Sequence, residues 1–210
     1  MKLYGNEISS ATSRVRIALA LKGLKPELLS IGILGEGAEN RQAAYLEVNP
    51  QGLVPALLTD EGALVTQSLA IIEYLDERYP EPRLLPEKAE DRAFARSLAL
   101  MVAAEIHALM PPRVAAHLRA AGFDADKIGA WNRHWMTEGF DAVEALLASR
   151  PARAFAAGDE PSVADLFLFP QAINAERAGL LLDRWPRLSA IVDRLSAIPE
   201  FSINAPAPRK

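Results

Sequence analysis

The chain has 210 residues, a formal net charge of −4, half its residues hydrophobic and 24% charged. That composition is globular rather than disordered, and the length holds one large domain or two small ones around a real core. Interspersed charges argue against a general affinity for nucleic acid, and no apolar run approaches the ~20 residues that span a bilayer. The absence of cysteine excludes disulfides, thiolate metal sites and a cysteine nucleophile. The start MKLYGNEISS carries no apolar signal region. These features together predict a soluble cytoplasmic protein with neither nucleic-acid nor membrane partners.

In chain order, KLYG (2–5) reads as a short strand and Arg14 to Leu24 as a helix with apolar stripes on two sides, so covered on both. PELLSI (26–31) is a second strand, followed by a loop and a short helix ending near Asn49-Pro50. Leu53–Leu58 and Ala63–Val65 form a hairpin around Asp60, Glu61 and Gly62. Ser68–Tyr79 is an amphipathic helix. The order β-α-β-α-β-β-α implies a parallel crossover plus an antiparallel hairpin, hence a four-stranded mixed sheet. Pro80, Pro82 and Pro86 then break the pattern, which places a first domain at 1–80, a linker at 81–87 and a second domain at 88–210. Beyond the linker the spacing is helical throughout, punctuated by prolines. Pro170 falls inside one helix and should kink it. The tail APAPRK is expected to fray. The fold class is therefore α/β followed by an all-α helical bundle.

Several polar residues stand where chemistry is possible. Ser68 precedes an apolar-periodic helix and reads as its N-cap, where free N–H groups and the helix dipole favour an anion. Ser9 and Ser10 precede the first helix. With that helix starting at Ser13 or Arg14, Thr12 or Ser13 is the expected cap, which leaves Ser9 and Ser10 in a loop able to face a ligand. Ser162-x-x-Asp165 resembles a capping box and is read as structural. Glu105 and His107 do not share a helix face, and the three histidines are too scattered to argue for a metal.

Four stretches carry a resemblance. SSATSRVRIALALKG, NPQGLVPAL, TQSLAIIEYLDERYP and PQAINAER resemble motifs of the glutathione transferase superfamily, the first and last those of its zeta class, which includes maleylacetoacetate and maleylpyruvate isomerases. The resemblance implies a thioredoxin-like N-terminal domain that binds glutathione, a helical domain that lines an electrophile site, and a homodimer. It also implies roles. Ser9, with Ser10 beside it, would donate to the glutathione thiolate, and a cis Val54-Pro55 bond would leave the Val54 backbone to pair with the cysteinyl part. Gln67 and Ser68 would hold the γ-glutamyl carboxylate, His107 would touch glutathione, and Arg177 would hold a substrate carboxylate. A chain without cysteine can still do thiol chemistry by borrowing the sulfur of glutathione.

Three departures bear on the reaction. Ala11 stands in place of the class cysteine and Ile8 in place of the class arginine, and ALMPPRVAAH replaces a stretch usually rich in amides, with Arg113 restoring some polarity. A lost charge-assisted hydrogen bond is worth about 1.5–3 kcal/mol. The sequence alone therefore ranks attack of glutathione on a small electrophile first and cis–trans isomerisation of a maleyl acid second. A non-catalytic glutathione-binding or scaffold protein comes third, with intact Ser9, Gln67 and Ser68 against it.

Overall fold

The computed structural model describes residues 1–35 and 37–208. Glu36 of the expected loop, and Arg209 and Lys210 of the expected frayed tail, lie outside these described residues. The chain divides into two compact units, Met1–Leu84 together with the segment from Ile203 onward, and Leu85–Ser202.

The first unit runs β1 (Lys2–Gly5), α1 (Ser10–Leu21), β2 (Glu27–Ser30), α2 (Ala43–Val48), β3 (Ala56–Leu58), β4 (Leu64–Thr66) and α3 (Ser68–Arg78). The sheet order is β2-β1-β3-β4, with β1 parallel to β2 and antiparallel to β3, and β3 antiparallel to β4. This is the expected mixed sheet, and α1 is the crossover its parallel pair requires. Val15, Ile17 and Ala18 of α1 are all fully buried, as a helix apolar on two sides must be. The register places the functional turns. Tyr4 faces Ala56, and Ala56 faces Thr66. The end of β1, the start of β3 and the end of β4 therefore lie at one end of the sheet, where the chain carries Ser9, Val54-Pro55 and Gln67-Ser68.

Two element starts differ most from the sequence reading. α1 begins at Ser10, four residues before Arg14, because its first turn is Ser, Ala, Thr and Ser, which show no apolar period. β3 begins at Ala56 rather than Leu53, because Pro55 has no N–H to give the ladder.

Lys22 closes this unit. Its side chain is fully buried, and Nζ donates to Asp76 Oδ1 at 2.9 Å, Tyr79 O at 2.6 Å and Pro82 O at 2.8 Å. One ammonium thus ties the end of α1 to the end of α3 and to the segment that follows. The tail does not follow the expectation of fraying. Ser13 Oγ donates to Asn204 O, and Ala207 N donates to Glu7 O at 2.8 Å, so the described part of the tail belongs to the first unit.

The second unit contains α4 (Ala89–Leu100), a π-helical segment Met101–Ile106, a 3-10 turn His107–Leu109, α5 (Pro112–Ala120), α6 (Ala125–Ala148), α7 (Val163–Arg177), α8 (Pro186–Ser196) and α9 (Pro199–Ser202). Pro112 sits at the start of α5, where its missing N–H costs nothing. Pro170 lies inside α7, whose helix continues through it. Within Ala89–Ala120 one 18-residue window reaches a mean hydropathy of 1.4. By length and composition it could cross a membrane, contrary to the sequence reading, which found no such run. Val102 and Ile106 within it are fully buried, and 28% of its apolar window is buried in all. The core continues in α7, where Leu166, Phe167 and Leu168 are fully buried.

The Ser162–Asp165 capping box is present. Asp165 accepts from Ala156 N at 3.0 Å, Ser162 N at 2.8 Å and Ser162 Oγ at 2.9 Å. Complete burial outweighs these donors and pushes its pKa up to about 6.

Candidate active site

Ser9 is both a helix cap and an available donor. It is the N-cap of α1, and its Oγ accepts from Thr12 N at 3.2 Å. The expectation that Thr12 or Ser13 would cap, leaving Ser9 in a free loop, is overturned, because the helix starts earlier. The chemical conclusion changes little. A hydroxyl has two lone pairs and one proton, and the cap uses a lone pair. Among the described residues the Ser9 proton meets no acceptor, so it remains available at the positive end of α1. Ser9 is 8% exposed and Ser10 only 2%, which favours Ser9 within the pair. Asn6 fixes the turn. Its Oδ1 accepts from Ile8 N at 3.1 Å, its Nδ2 donates to Ile31 O at 2.8 Å, and its carbonyl accepts from Ser9 N at 3.1 Å. Sequence reasoning missed Asn6, although Asn ahead of a helix is a known turn signal.

The second element is an open backbone edge. The Val54-Pro55 peptide is cis. Leu53 O accepts from Tyr45 OH at 2.7 Å and Asn49 Nδ2 at 2.8 Å, and Asn40 Nδ2 donates to Gly52 O at 2.7 Å. Gly52 has φ +60°, and a Cβ there would come within 2.8 Å of Asn40 O, so the loop requires glycine. Burial pushes the Tyr45 hydroxyl up to about 12, which keeps it a proton donor. The residues on either side of Val54 are thus pinned. The N–H and C=O of Val54 itself bond to nothing among the described residues, which is the arrangement an extended peptide can join as an added strand.

The third element is the start of α3. Gln67 rather than Ser68 is the N-cap, and it makes no side-chain cap bond. It has φ 69°, a conformation that costs about 1–3 kcal/mol and gathers at functional sites. Gln67 Nε2 donates to Gln51 Oε1 at 2.8 Å, tying this helix start to the Val54 loop. Ser68 is therefore the first helical residue, and its N–H and those of Leu69 and Ala70 have no acceptor within the helix. Arg14 of α1 is 1% exposed, and its Nη1 donates to Ser68 Oγ at 3.3 Å. Burial pushes its pKa down to about 9, so at neutral pH it still places a positive charge behind Ser68. Arg14 was another omission of the sequence reading, because its position on α1 does not reveal which helix it touches.

In the first unit the predicted residues converge on one sheet end. They combine a hydroxyl donor, an unpaired backbone edge and an anion-favouring helix start, which suit a short peptide bearing a thiol and a carboxylate.

The remaining predicted residues belong to the helical unit. His107 begins the 3-10 turn after the π-helical segment. Such segments are rare and frequent at functional sites. Its surroundings are fixed from α6, since Trp131 Nε1 donates to Leu109 O at 3.0 Å and a Cβ on Gly139 would overlap Ile106. Arg177 is the last residue of α7 and exposed. Arg113 is exposed in the first turn of α5 and makes no hydrogen bond or ion pair among the described residues. Ile8 is half-buried and Ala11 buried.

Residues 3–83 match the family described as glutathione S-transferase, N-terminal domain, and residues 136–194 match glutathione S-transferase, C-terminal domain. The chain is 46% identical over 207 residues to the maleylacetoacetate isomerase of Pseudomonas aeruginosa, covering 99% of this chain and 96% of that one. It superposes on a holo maleylpyruvate isomerase, a bacterial zeta-class glutathione S-transferase, with TM-score 0.93 and 40% identity over 98% of this chain and 97% of that one. For the maleylacetoacetate isomerase of Methylobacterium extorquens AM1 with bound malonate and glutathione, the TM-score is 0.91 and the identity 34%, over 98% and 96% of the two chains.

Proposed function

The chain belongs to the glutathione S-transferase family, in its zeta class, and on that premise we propose that it catalyses the glutathione-dependent cis–trans isomerisation of a maleyl-type diketo acid. The observation that carries this reading is the Ser9 hydroxyl, which caps α1 with a lone pair and keeps its proton for a thiolate. Whole-length similarity to isomerases at 46% identity moves isomerisation ahead of group transfer, which the sequence alone ranked first. The chain works in the cytoplasm, where glutathione is kept reduced.

Bound glutathione supplies a thiolate that adds to the maleyl double bond and leaves again, so that it is not consumed. The protein's part is binding and electrostatics. The backbone of Val54, just before its cis bond to Pro55, pairs with the cysteinyl portion. Ser68, Gln67 and the first N–H groups of α3 hold the γ-glutamyl carboxylate, with the charge of Arg14 behind them. Ser9 donates to the sulfur, and together with the α1 dipole lowers the thiol pKa. Ser10 supports that turn, and His107 contacts glutathione. Arg177, whose planar fork suits a carboxylate, reads the substrate acid, with Arg113 as a further cation. A neighbour solved with bound malonate, a dicarboxylate, and glutathione supports a carboxylate-bearing substrate.

Arg177→Gln should raise KM for the diketo acid at least tenfold with little change in glutathione affinity by calorimetry. An unchanged KM would remove Arg177 from the substrate site.

A second reading, transfer of glutathione to a wider range of electrophiles, is favoured by Ile8, which puts an apolar side chain where the class has a cation. The active form is a homodimer. Leu100 at the end of α4 is 48% exposed, an apolar surface that a second copy would cover. Light scattering should give twice the chain mass.

A further inference from the structure

The helical unit contains a cavity of about 490 Å³ whose lining includes none of the residues assigned above. Five cations line it, Lys88, Arg150, Arg153, Arg187 and Arg194, against two carboxylates, Glu87 and Asp91. In a chain of net charge −4, gathering that many cations around one hollow opposes the overall charge. Two are already neutralised. Arg150 pairs with Asp91 at 2.7 Å and lies over the Phe94 ring at 3.9 Å, and Arg153 pairs with Asp159 at 2.9 Å. The other two guanidinium groups are different. Arg187 Nη1 donates to Arg150 O at 3.4 Å, and Arg194 Nη1 donates to Ala154 O at 2.9 Å. Among the described residues neither has a carboxylate partner. Both come from α8, and both are steadied by carbonyls of the segment between α6 and α7. A carbonyl holds a guanidinium in place without cancelling its charge, and leaves most of its N–H donors for another acceptor.

The rest of the lining is apolar and includes Phe155, Ile191 and Leu147. The volume lies within the roughly 300–1,000 Å³ of small-molecule sites. An apolar floor with two unneutralised, pre-positioned guanidinium groups suits a molecule with a flat apolar body and an oxyanion. Bare sulfate or phosphate would leave the floor unused, and a neutral aromatic would leave the arginines unused.

We propose that this cavity is a second binding site, for a small organic anion whose phosphate or carboxylate groups bridge Arg187 and Arg194 while its ring rests on the apolar floor. Because it shares no residue with the glutathione-binding set, occupancy leaves glutathione affinity unchanged.

The test is calorimetry on the full chain saturated with glutathione, with AMP as the phosphate probe, phthalate as the dicarboxylate probe and adenosine as the uncharged control. AMP or phthalate should bind at least tenfold more tightly than adenosine, and the tighter of the two identifies the anion class. Arg187→Gln with Arg194→Gln should weaken that binding at least tenfold, while Arg187→Lys with Arg194→Lys retains most of it, since Lys keeps the charge. Glutathione affinity should be the same in all three proteins, which shows that each is folded. Absence of binding by both anions at millimolar concentration overturns the proposal. So does adenosine binding as well as AMP, or a glutamine variant that binds like the parent.

Discussion

Ser9 shows how one hydroxyl serves two purposes. Its oxygen accepts from Thr12 N, and its proton is left for a ligand, so cap and catalytic donor are compatible roles rather than alternatives. The two roles separate in measurement. Ser9→Ala should cost about 1 kcal/mol of stability through the lost cap. It should also raise the pKa of bound glutathione, read from thiolate absorbance against pH, and lower kcat more than it raises KM. Ser10→Ala should leave the thiol pKa unchanged, because Ser10 lies inside the helix and is nearly fully buried. If Ser10→Ala shifts that pKa and Ser9→Ala does not, the assignment within the pair is reversed.

At the scale of elements, two buried polar groups hold the helices that carry function. Lys22 joins the ends of α1 and α3 through three acceptors. Among the described residues, Lys22→Met leaves Asp76 with only the Leu84 N–H, at 2.8 Å, and should destabilise the protein by about 3–5 kcal/mol, as breaking a buried pair does. Urea denaturation measures it, and a loss under 1 kcal/mol would contradict the account. Asp165 gives a pH signature. Its folded pKa, about 6, lies above the ordinary carboxyl value of 3.8, so the folded state holds its proton more tightly than the unfolded state does. Its contribution is full below pH ~4 and is lost as pH rises through 6. The stability penalty of Asp165→Asn should therefore be larger at pH 4 than at pH 7, and the opposite order would refute the assigned shift.

Over the whole molecule, much of the architecture was legible. Alternating apolar runs and the Asp60–Gly62 turn specify the hairpin, and the proline cluster marks where strands give way to helices. The unread features share a cause, which is that they depend on contacts distant in sequence or on non-standard backbone. A Ser-Ala-Thr-Ser turn carries no apolar period, so the start of α1 was placed too late. Periodicity assumes 3.6 residues per turn, so it passes over the π-helical segment before His107. The positive φ of Gln67, the reach of Arg14 to Ser68 and the return of the tail to the first unit are tertiary facts. The site residues of the first unit were nameable because they sit in contiguous motifs. That they gather at one sheet end follows only from the register of Tyr4, Ala56 and Thr66.

The most direct test follows a maleyl diketo acid by its ultraviolet absorbance while titrating free thiol in the same reaction, with glutathione at a small fraction of the substrate. Isomerisation with glutathione as a recycled cofactor predicts complete conversion to the trans isomer at constant thiol, and no conversion without glutathione. Loss of one thiol per substrate consumed, or conversion in the absence of glutathione, would contradict it.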